Sequence, residues 1–185
     1  MTKIEEQLET QRQINTLLAQ AAKLAYDKFG DKDIYNYGRA YEYLMAEKLG
    51  HSVSTTRSGQ DGYNELNEGV EYKTNAYKGY NKQGTLKQHT FNYYGFSRCD
   101  TYEEQVQTAT DKIMGSAKHY WGIKSEVGFD FHLIVEVESS VVLTAFLNQL
   151  QSVWKKAPSR KDPRINVALN FGDISNQYTV KYSEK

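Results

Sequence analysis

Residues 58–74 read SGQDGYNELNEGVEYKT, and this stretch carries the most information about the fold. Asp61 precedes Glu71 by ten residues, and Lys73 follows Glu71 by two. Side chains alternate between the two faces of a strand, so Glu71 and Lys73 point the same way, about 6.6 Å apart along the chain. The asparagines and glycine between Asp61 and Glu71 favour turns that let the chain fold back. The pattern therefore predicts a hairpin that brings the three side chains together.

These three side chains offer a specific chemistry. Two carboxylates can hold a hard divalent cation, and an amine next to it can orient or deprotonate a water molecule. A divalent cation with an activated water is suited to attack on a phosphodiester. The simpler interpretation is a cross-strand salt bridge, because a Glu-x-Lys pair is common on surface strands. Asp61 and the glycines beside it, Gly59 and Gly62, favour the metal site.

The composition predicts one globular domain over residues 1–185. Of the 185 residues, 25% are charged and 39% are hydrophobic, so the chain is neither disordered nor fibrous. No apolar run approaches the roughly 18 residues of a membrane span, so we expect no membrane partner. The N-terminus lacks the apolar core of a signal peptide, and Cys99 is the only cysteine. We therefore expect a cytoplasmic protein without an internal disulfide.

The distribution of charge favours a nucleic-acid partner, although the formal net charge is +0. Residues 72–99 contain no Asp or Glu, and basic and aromatic side chains are interleaved along this stretch. A second basic cluster occupies residues 155–164. Cationic surfaces of this kind suit phosphate backbones, whose neutralisation releases counterions. The alternative is two solvated faces with a few aromatic core residues.

Hydrophobic periodicity predicts an α/β (α+β) chain. Apolar stripes predict helices over residues 4–29 and 37–49, within a helical N-terminal region over residues 1–50. The catalytic and DNA-binding core would then span residues 51–185, with residues 129–137 as a central strand. The remaining predicted elements are helices over 102–117 and 141–154 and strands over 52–56, 69–75, 89–94, 165–170 and 178–182.

The layout resembles the PD-(D/E)XK nuclease superfamily, in which a helix is followed by an Asp at a strand end and by Glu-x-Lys on the next strand. Within it, the chain is most similar to the small PvuII-type restriction endonucleases. The similarity rests on residues 57–61 with the ten-residue step to Glu71, on the His-Thr-Phe-Asn segment at 89–92, and on residues 154–167. It covers residues 54–95 closely and 130–172 loosely.

The resemblance implies a restriction-endonuclease-like core, in which helices flank a mixed central β-sheet. Asp61 and Glu71, with the backbone carbonyl of Tyr72, would hold Mg²⁺, for which Mn²⁺ can substitute. Lys73 would position the attacking water and help to deprotonate it, so Asp61, Glu71 and Lys73 are the expected catalytic residues. One accessory position is Ser58, where the family carries a further acidic residue. The other, Glu42, follows from its place on the second predicted helix and not from the resemblance, and the alternative is that it is a plain exposed helix residue.

The implied partner is double-stranded DNA, cut at a short specific site to leave a 5′-phosphate and a 3′-hydroxyl. A palindromic site would require a homodimer. The long first helix is the expected interface, the alternative being that it only caps the core. The residues expected to contact DNA are Lys78, Lys82, Lys87 and Arg98 on phosphates and His89 and Asn92 on base edges. A junction or repair endonuclease of the same superfamily and a non-catalytic nucleic-acid-binding module stay open as alternatives.

Overall fold

The chain folds around a β-sheet with helices on both of its faces. The computed structural model describes residues 3–35, 38–56, 59–157 and 164–184. In these ranges the helices are α1 (Lys3–Phe29), α2 (Arg39–Leu49), α3 (Tyr102–Met114) and α4 (Ser139–Lys156). The strands are β1 (Ser52–Val53), β2 (Gly62–Tyr63), β3 (Gly69–Asn75), β4 (Phe91–Phe96), β5 (Lys118–Lys124), β6 (Phe131–Glu138), β7 (Ile165–Leu169) and β8 (Thr179–Ser183).

Six of these strands form one sheet in the order β1-β2-β3-β5-β6-β8. Strands β3 and β5 are parallel, whereas the other neighbouring pairs are antiparallel. The remaining strands, β4 and β7, pair antiparallel with each other in a separate sheet. Parallel strands cannot be joined by a tight turn, and the long connection from β3 to β5 contains β4 and α3. The mixed central sheet predicted for this chain is confirmed.

Apolar side chains cover both faces of this sheet. Successive strand residues alternate between faces, so Tyr120 belongs to a buried cluster with α2, whereas Trp121 belongs to a larger cluster with α3, α4, β4 and β7. The next residue, Gly122, allows α2 to approach closely. A Cβ atom at that position would lie 2.5 Å from the Cε atom of Met45. The sheet is therefore the middle layer of the molecule.

Local sequence signals fix the ends of two helices. α2 ends at Gly50, whose φ of 71° is the left-handed conformation that a glycine adopts without strain. α3 begins with a capping box, in which the Thr101 hydroxyl accepts from the Glu104 N–H and the Glu104 carboxylate accepts from the Thr101 N–H. Both helices therefore begin or end where the residue types predict.

The elements predicted from periodicity are present, with ends displaced by a few residues, and two further strands, β2 and β5, were not predicted. The predicted central strand 129–137 is confirmed as β6, which lies between β5 and β8. The predicted strand 52–56 is shorter, since β1 covers only Ser52–Val53. The sequence analysis missed β5, where residues 119–123 are all buried. Burial of both faces removes the alternation of polar and apolar residues that identifies a strand.

The two helices of the N-terminal region differ in their packing. α2 contributes Met45 and Ala46 to the buried cluster on the sheet. In α1, by contrast, Leu17 is 66% exposed and Leu24 is 59% exposed, and the helix buries Ala25. Neither α1 nor any other helix in the described ranges combines the length and apolar character needed to cross a bilayer. α1 therefore leaves a row of apolar side chains open to solvent.

Candidate active site

Asp61 lies immediately before β2 and is held by the strands on both sides. Its N–H donates to the carbonyl of Val70 at 3.0 Å, and its carbonyl accepts from the N–H of Ser54 at 3.0 Å. Its carboxylate accepts from the backbone N–H of Tyr72 at 2.8 Å. The next residue must be small, because a Cβ atom at Gly62 would lie 2.8 Å from the Ser52 carbonyl oxygen. Backbone and side chain together fix the Asp61 carboxylate against β3.

Glu71 and Lys73 project from one face of β3, as the sequence predicts. Their side chains form an ion pair, and each is 22% exposed. The Lys73 ammonium lies 5.6 Å from the centre of the Tyr93 ring, on the side of the sheet that carries β4 and α3. The Tyr72 side chain points to the opposite face, where its hydroxyl lies 3.0 Å from Nδ1 of His51. The acidic and basic groups of the predicted triad are therefore not splayed across the sheet.

A cavity of about 50 Å³ adjoins Glu71 and Lys73. Its other lining residues come from α3, β4 and β5 and are Lys112, Ile113, Tyr93, Phe96 and His119. A buried water needs roughly 10–15 Å³ of such space, so the cavity can take a few waters or an ion. It cannot take a nucleotide. Any polymeric substrate would approach Glu71 and Lys73 from outside.

A chain of hydrogen bonds forms the wall of this cavity. The indole N–H of Trp121 donates to the Tyr93 hydroxyl at 3.0 Å, and that hydroxyl lies 3.2 Å from Nδ1 of His119. Nε2 of His119 lies 3.1 Å from the carbonyl of Ile113. A carbonyl only accepts, so Nε2 carries the proton and Nδ1 accepts from Tyr93. Burial lowers the pKa of His119 to about 4, so the imidazole is neutral and fixed at neutral pH.

Neighbouring charges shift the pKa values of Asp61 and Lys73. Burial, with the charge of Glu71 added to it, raises the pKa of Asp61 to about 7, although Lys73 acts in the opposite direction. Burial alone would lower the pKa of Lys73, but the charges of Glu71 and Asp61 outweigh it and raise that pKa. These pKa shifts show that Asp61, Glu71 and Lys73 lie close enough for their charges to interact. At neutral pH the site holds a partly protonated Asp61 and an ammonium at Lys73.

Glu42 approaches this site from α2. Its carboxylate accepts from Arg39 at 2.8 Å, and its charge contributes to the raised pKa values of Asp61 and Lys73. Arg39 is itself buried and also donates to Asp31 at 2.7 Å and to the carbonyl of Ser54. The predicted accessory residue is thus held near the triad by a buried arginine. The other accessory position, Ser58, lies outside the described residues.

The donor set near Asp61 is compatible with magnesium. The N–H and C=O of one strand residue point to the same edge, so the Tyr72 carbonyl faces the Asp61 side, as the Tyr72 N–H does. Among the residues that the structure describes, no three His, Cys, Asp or Glu side chains gather as a metal site. Mg²⁺ typically takes one or two carboxylates and completes its shell with waters and phosphate oxygens. Asp61, Glu71 and the Tyr72 carbonyl fit that requirement, and their metal-binding role stays a prediction.

The residues expected to contact DNA lie in two places. Lys78, Lys82 and Lys87 are exposed on a hairpin formed by residues 76–89, which follows β3. Arg98, in contrast, stacks on Trp154 of α4, with 4.6 Å between its guanidinium carbon and the ring centre. Asn92 lies half-buried on β4, opposite Ala168 of β7. The hairpin lysines and Arg98 therefore belong to separate surfaces.

His89 does not lie where a base edge could reach it. Its side chain is fully buried, and Nε2 accepts from the backbone N–H of Lys78 at 3.2 Å. Burial also lowers the pKa of His89. The imidazole thus fixes the base of the hairpin in this structure, and its placement argues against the expected contact with a base.

Three residues beside these surfaces were missed from the sequence. Lys112 and His119 line the cavity next to Glu71, and Lys124 lies close to the hairpin lysines. His119 and Lys124 belong to β5, one of the two strands that were not predicted. No spacing in the sequence links these residues to the 58–74 stretch. The parallel pairing of β3 with β5 brings His119 and Lys124 there, and α3 brings Lys112.

Comparisons with known proteins give no family for the chain. A scan against models of protein families finds no match, and a search of curated proteins finds none either.

Proposed function

We propose that the chain is a Mg²⁺-dependent endonuclease that hydrolyses phosphodiester bonds of double-stranded DNA at a short specific site. The observation that carries the proposal is the hydrogen bond from Tyr72 N–H to the Asp61 carboxylate, which holds Asp61 beside Glu71 and Lys73. The topology is a second support. α2 precedes the end of β2 at which Asp61 lies, and Glu71 and Lys73 are on the next strand, β3, which is the order that the resemblance to PD-(D/E)XK nucleases implies.

Each residue of the site has a role in this proposal. Asp61 and Glu71 would bind Mg²⁺ or Mn²⁺ with the Tyr72 carbonyl, and the bound cation would supply charge stabilisation at a phosphate oxygen. Lys73 would orient the attacking water and offset the negative charge that grows on the phosphate. Its raised pKa makes Lys73 a hydrogen-bond donor before substrate binds. The Trp121–Tyr93–His119 chain would keep the wall of the site from moving during the reaction.

Digestion of a mapped phage DNA with Mg²⁺, followed by sequencing of the fragment ends, tests this function. Discrete fragments with 5′-phosphate ends are the expected result, and Asp61→Ala should abolish cutting while DNA binding in Ca²⁺ survives. Cutting of branched DNA alone would favour a junction or repair endonuclease. DNA binding by a wild-type protein that cuts nothing with Mg²⁺ or Mn²⁺ would favour a non-catalytic binding module.

We also propose that two copies of the chain pair through α1. Ile14, Leu17, Ala21 and Leu24 follow a 3-4-3 spacing, which is the heptad pattern of a two-helix seam. Ile14 is 50% exposed, and Leu17 and Leu24 are more exposed still. Residues 5–9 carry three Glu, whereas residues 23–28 carry two lysines and Asp27, so antiparallel pairing would place a negative segment against one with a net positive charge. A homodimer would match a palindromic site.

A further inference from the structure

An open cavity of about 600 Å³ lies where the parallel strands β3 and β5 end. Asn75 pairs with Ile123 near the end of the two strands, and the chain segments that follow start at Ala76 and Ser125. Its lining residues include Tyr41 of α2, Lys78 and Lys87 of the hairpin, Lys124 and Glu126. Sheet edges at the carboxyl ends of parallel strands are common ligand sites.

Three lysines line this cavity, together with one acidic residue. The cations are Lys78, Lys87 and Lys124, and the carboxylate is Glu126, which is exposed. Lys124 is half-buried, and its ammonium lies 3.8 Å from the centre of the Tyr41 ring. Within the described residues it forms no ion pair. Burial lowers the pKa of Lys124, so this cation is partly desolvated and its charge is open to an anion.

The hairpin that carries the other two lysines is well fixed. The Lys87 N–H donates to the Gly79 carbonyl at 2.9 Å, and Tyr80 bridges to Leu86 across the hairpin. The Tyr80 hydroxyl also lies 3.1 Å from Nε2 of His132 on β6. Lys78 and Lys87 are therefore presented from a rigid element, which reduces the entropy that a bound anion would otherwise have to offset.

We infer that this cavity, here called the lysine pocket, binds a backbone phosphate of the DNA strand, with Lys124 as a phosphate-contacting residue. The inference rests on the proposed function. It adds a binding site for the DNA strand beyond the catalytic residues. Lys73 and Ala76 are about 10 Å apart along β3. The pocket would therefore hold a phosphate of that strand other than the one that is cut.

The salt dependence of DNA binding tests this inference. Binding of wild type, Lys124→Gln and Lys124→Arg to one duplex is measured in Ca²⁺ over a range of salt concentrations. Lys124→Gln should reduce the slope of log K against log salt by about 0.9, the value for one phosphate contact, and Lys124→Arg should retain the wild-type slope. The matched control is Lys118→Gln, at the other end of β5, about 20 Å away, which should leave the slope unchanged.

A second variant tests the same pocket at an exposed lysine, because substitution of the half-buried Lys124 could affect folding. Lys87 is exposed, and Lys87→Gln should also reduce the slope by about 0.9 with an unchanged thermal unfolding temperature. Unchanged slopes in both glutamine variants, in a protein that still binds and cuts DNA, would overturn the lysine pocket and leave the nuclease proposal standing. A wild-type protein that neither binds nor cuts DNA would overturn both.

Discussion

The backbone N–H of Tyr72 donates a 2.8 Å hydrogen bond to the carboxylate of Asp61, eleven residues earlier in the chain. This bond turns the Asp61 side chain toward β3, the strand that carries Glu71 and Lys73. It also places a carboxyl group whose pKa is raised to about 7 next to a second carboxylate. The folded chain therefore holds two acidic groups together at a cost that a bound cation would relieve.

The first prediction concerns the pH dependence of stability without metal. In the unfolded chain an Asp has a pKa of about 3.9, and folding raises that of Asp61 to about 7. The folded state then binds more protons than the unfolded state between these values, so this group makes the free energy of unfolding fall as pH rises from about 4 to about 7. The Asp61→Asn variant has no carboxylate to titrate, so it avoids this decrease in the free energy of unfolding. Its amide oxygen can still accept the hydrogen bond from the Tyr72 N–H. It should be more stable than wild type at pH 8 and close to it at pH 4.5, by urea unfolding in EDTA.

The exposed Asp100 provides the control for this comparison. Asp100→Asn should follow the wild-type stability at both pH values. A stability difference between Asp61→Asn and wild type that does not change with pH would contradict the assigned titration of Asp61.

The second prediction concerns the effect of Mg²⁺ on stability. A cation needs a deprotonated Asp61, so its binding must release the proton that this group holds below about pH 7. Mg²⁺ should raise the thermal unfolding temperature of wild type more at pH 8 than at pH 6. Asp61→Asn should lose most of that rise at both values. Equal rises in wild type and Asp61→Asn would mean that Mg²⁺ binds elsewhere.

The third prediction concerns Lys73. If its amine orients the attacking water, Lys73→Gln should lower the rate of Mg²⁺-dependent cutting by at least about 100-fold. Mg²⁺ should still raise the unfolding temperature, because both carboxylates remain. The matched control is Lys118→Gln on the neighbouring β5, which also removes an ion-paired lysine. A Lys73→Gln protein that cuts DNA at the wild-type rate would reduce the Glu71–Lys73 pair to a structural salt bridge.

The fourth prediction concerns the buried Arg39. Its side chain is 5% exposed and pairs with Asp31, which is 3% exposed, and with Glu42. Arg39→Met leaves the Asp31 charge buried without its arginine and should cost about 3–5 kcal/mol in the free energy of unfolding. The Arg39→Met, Asp31→Asn double variant should recover part of that loss. Arg12, which is 77% exposed on α1, is the control, and Arg12→Met should change stability by less than about 0.5 kcal/mol.

The fifth prediction concerns the pairing of two copies through α1. Sedimentation velocity should report a dimer for wild type and a monomer for the Leu17→Glu, Leu24→Glu double variant, because the charges would be buried in the seam. Val180→Glu on β8 is the control, since Val180 is 53% exposed but lies away from α1. A wild-type monomer at every concentration would favour the alternative in which α1 only caps the core.

The sequence by itself determined the helices, most of the strands and the local geometry of the triad. These features depend on residues near each other in the chain. The apolar period of α3 and its cap at Thr101 are local, and the two-residue step from Glu71 to Lys73 places both on one face of any strand. The ten-residue step from Asp61 to Glu71 was long enough to suggest a hairpin and could not by itself orient the carboxylate.

Only the tertiary structure decided what surrounds that triad. His119 lies beside Glu71 and Lys73 because β5 pairs with β3, which joins residues more than forty positions apart. The same pairing places Lys124 at the end of the sheet, near the hairpin lysines. The burial of His89 and the stacking of Arg98 on Trp154 likewise depend on distant contacts. A strand buried on both faces leaves no polar alternation in its sequence. The surroundings of a site therefore depend on contacts between segments that are far apart in the chain. A local sequence pattern does not reveal those contacts.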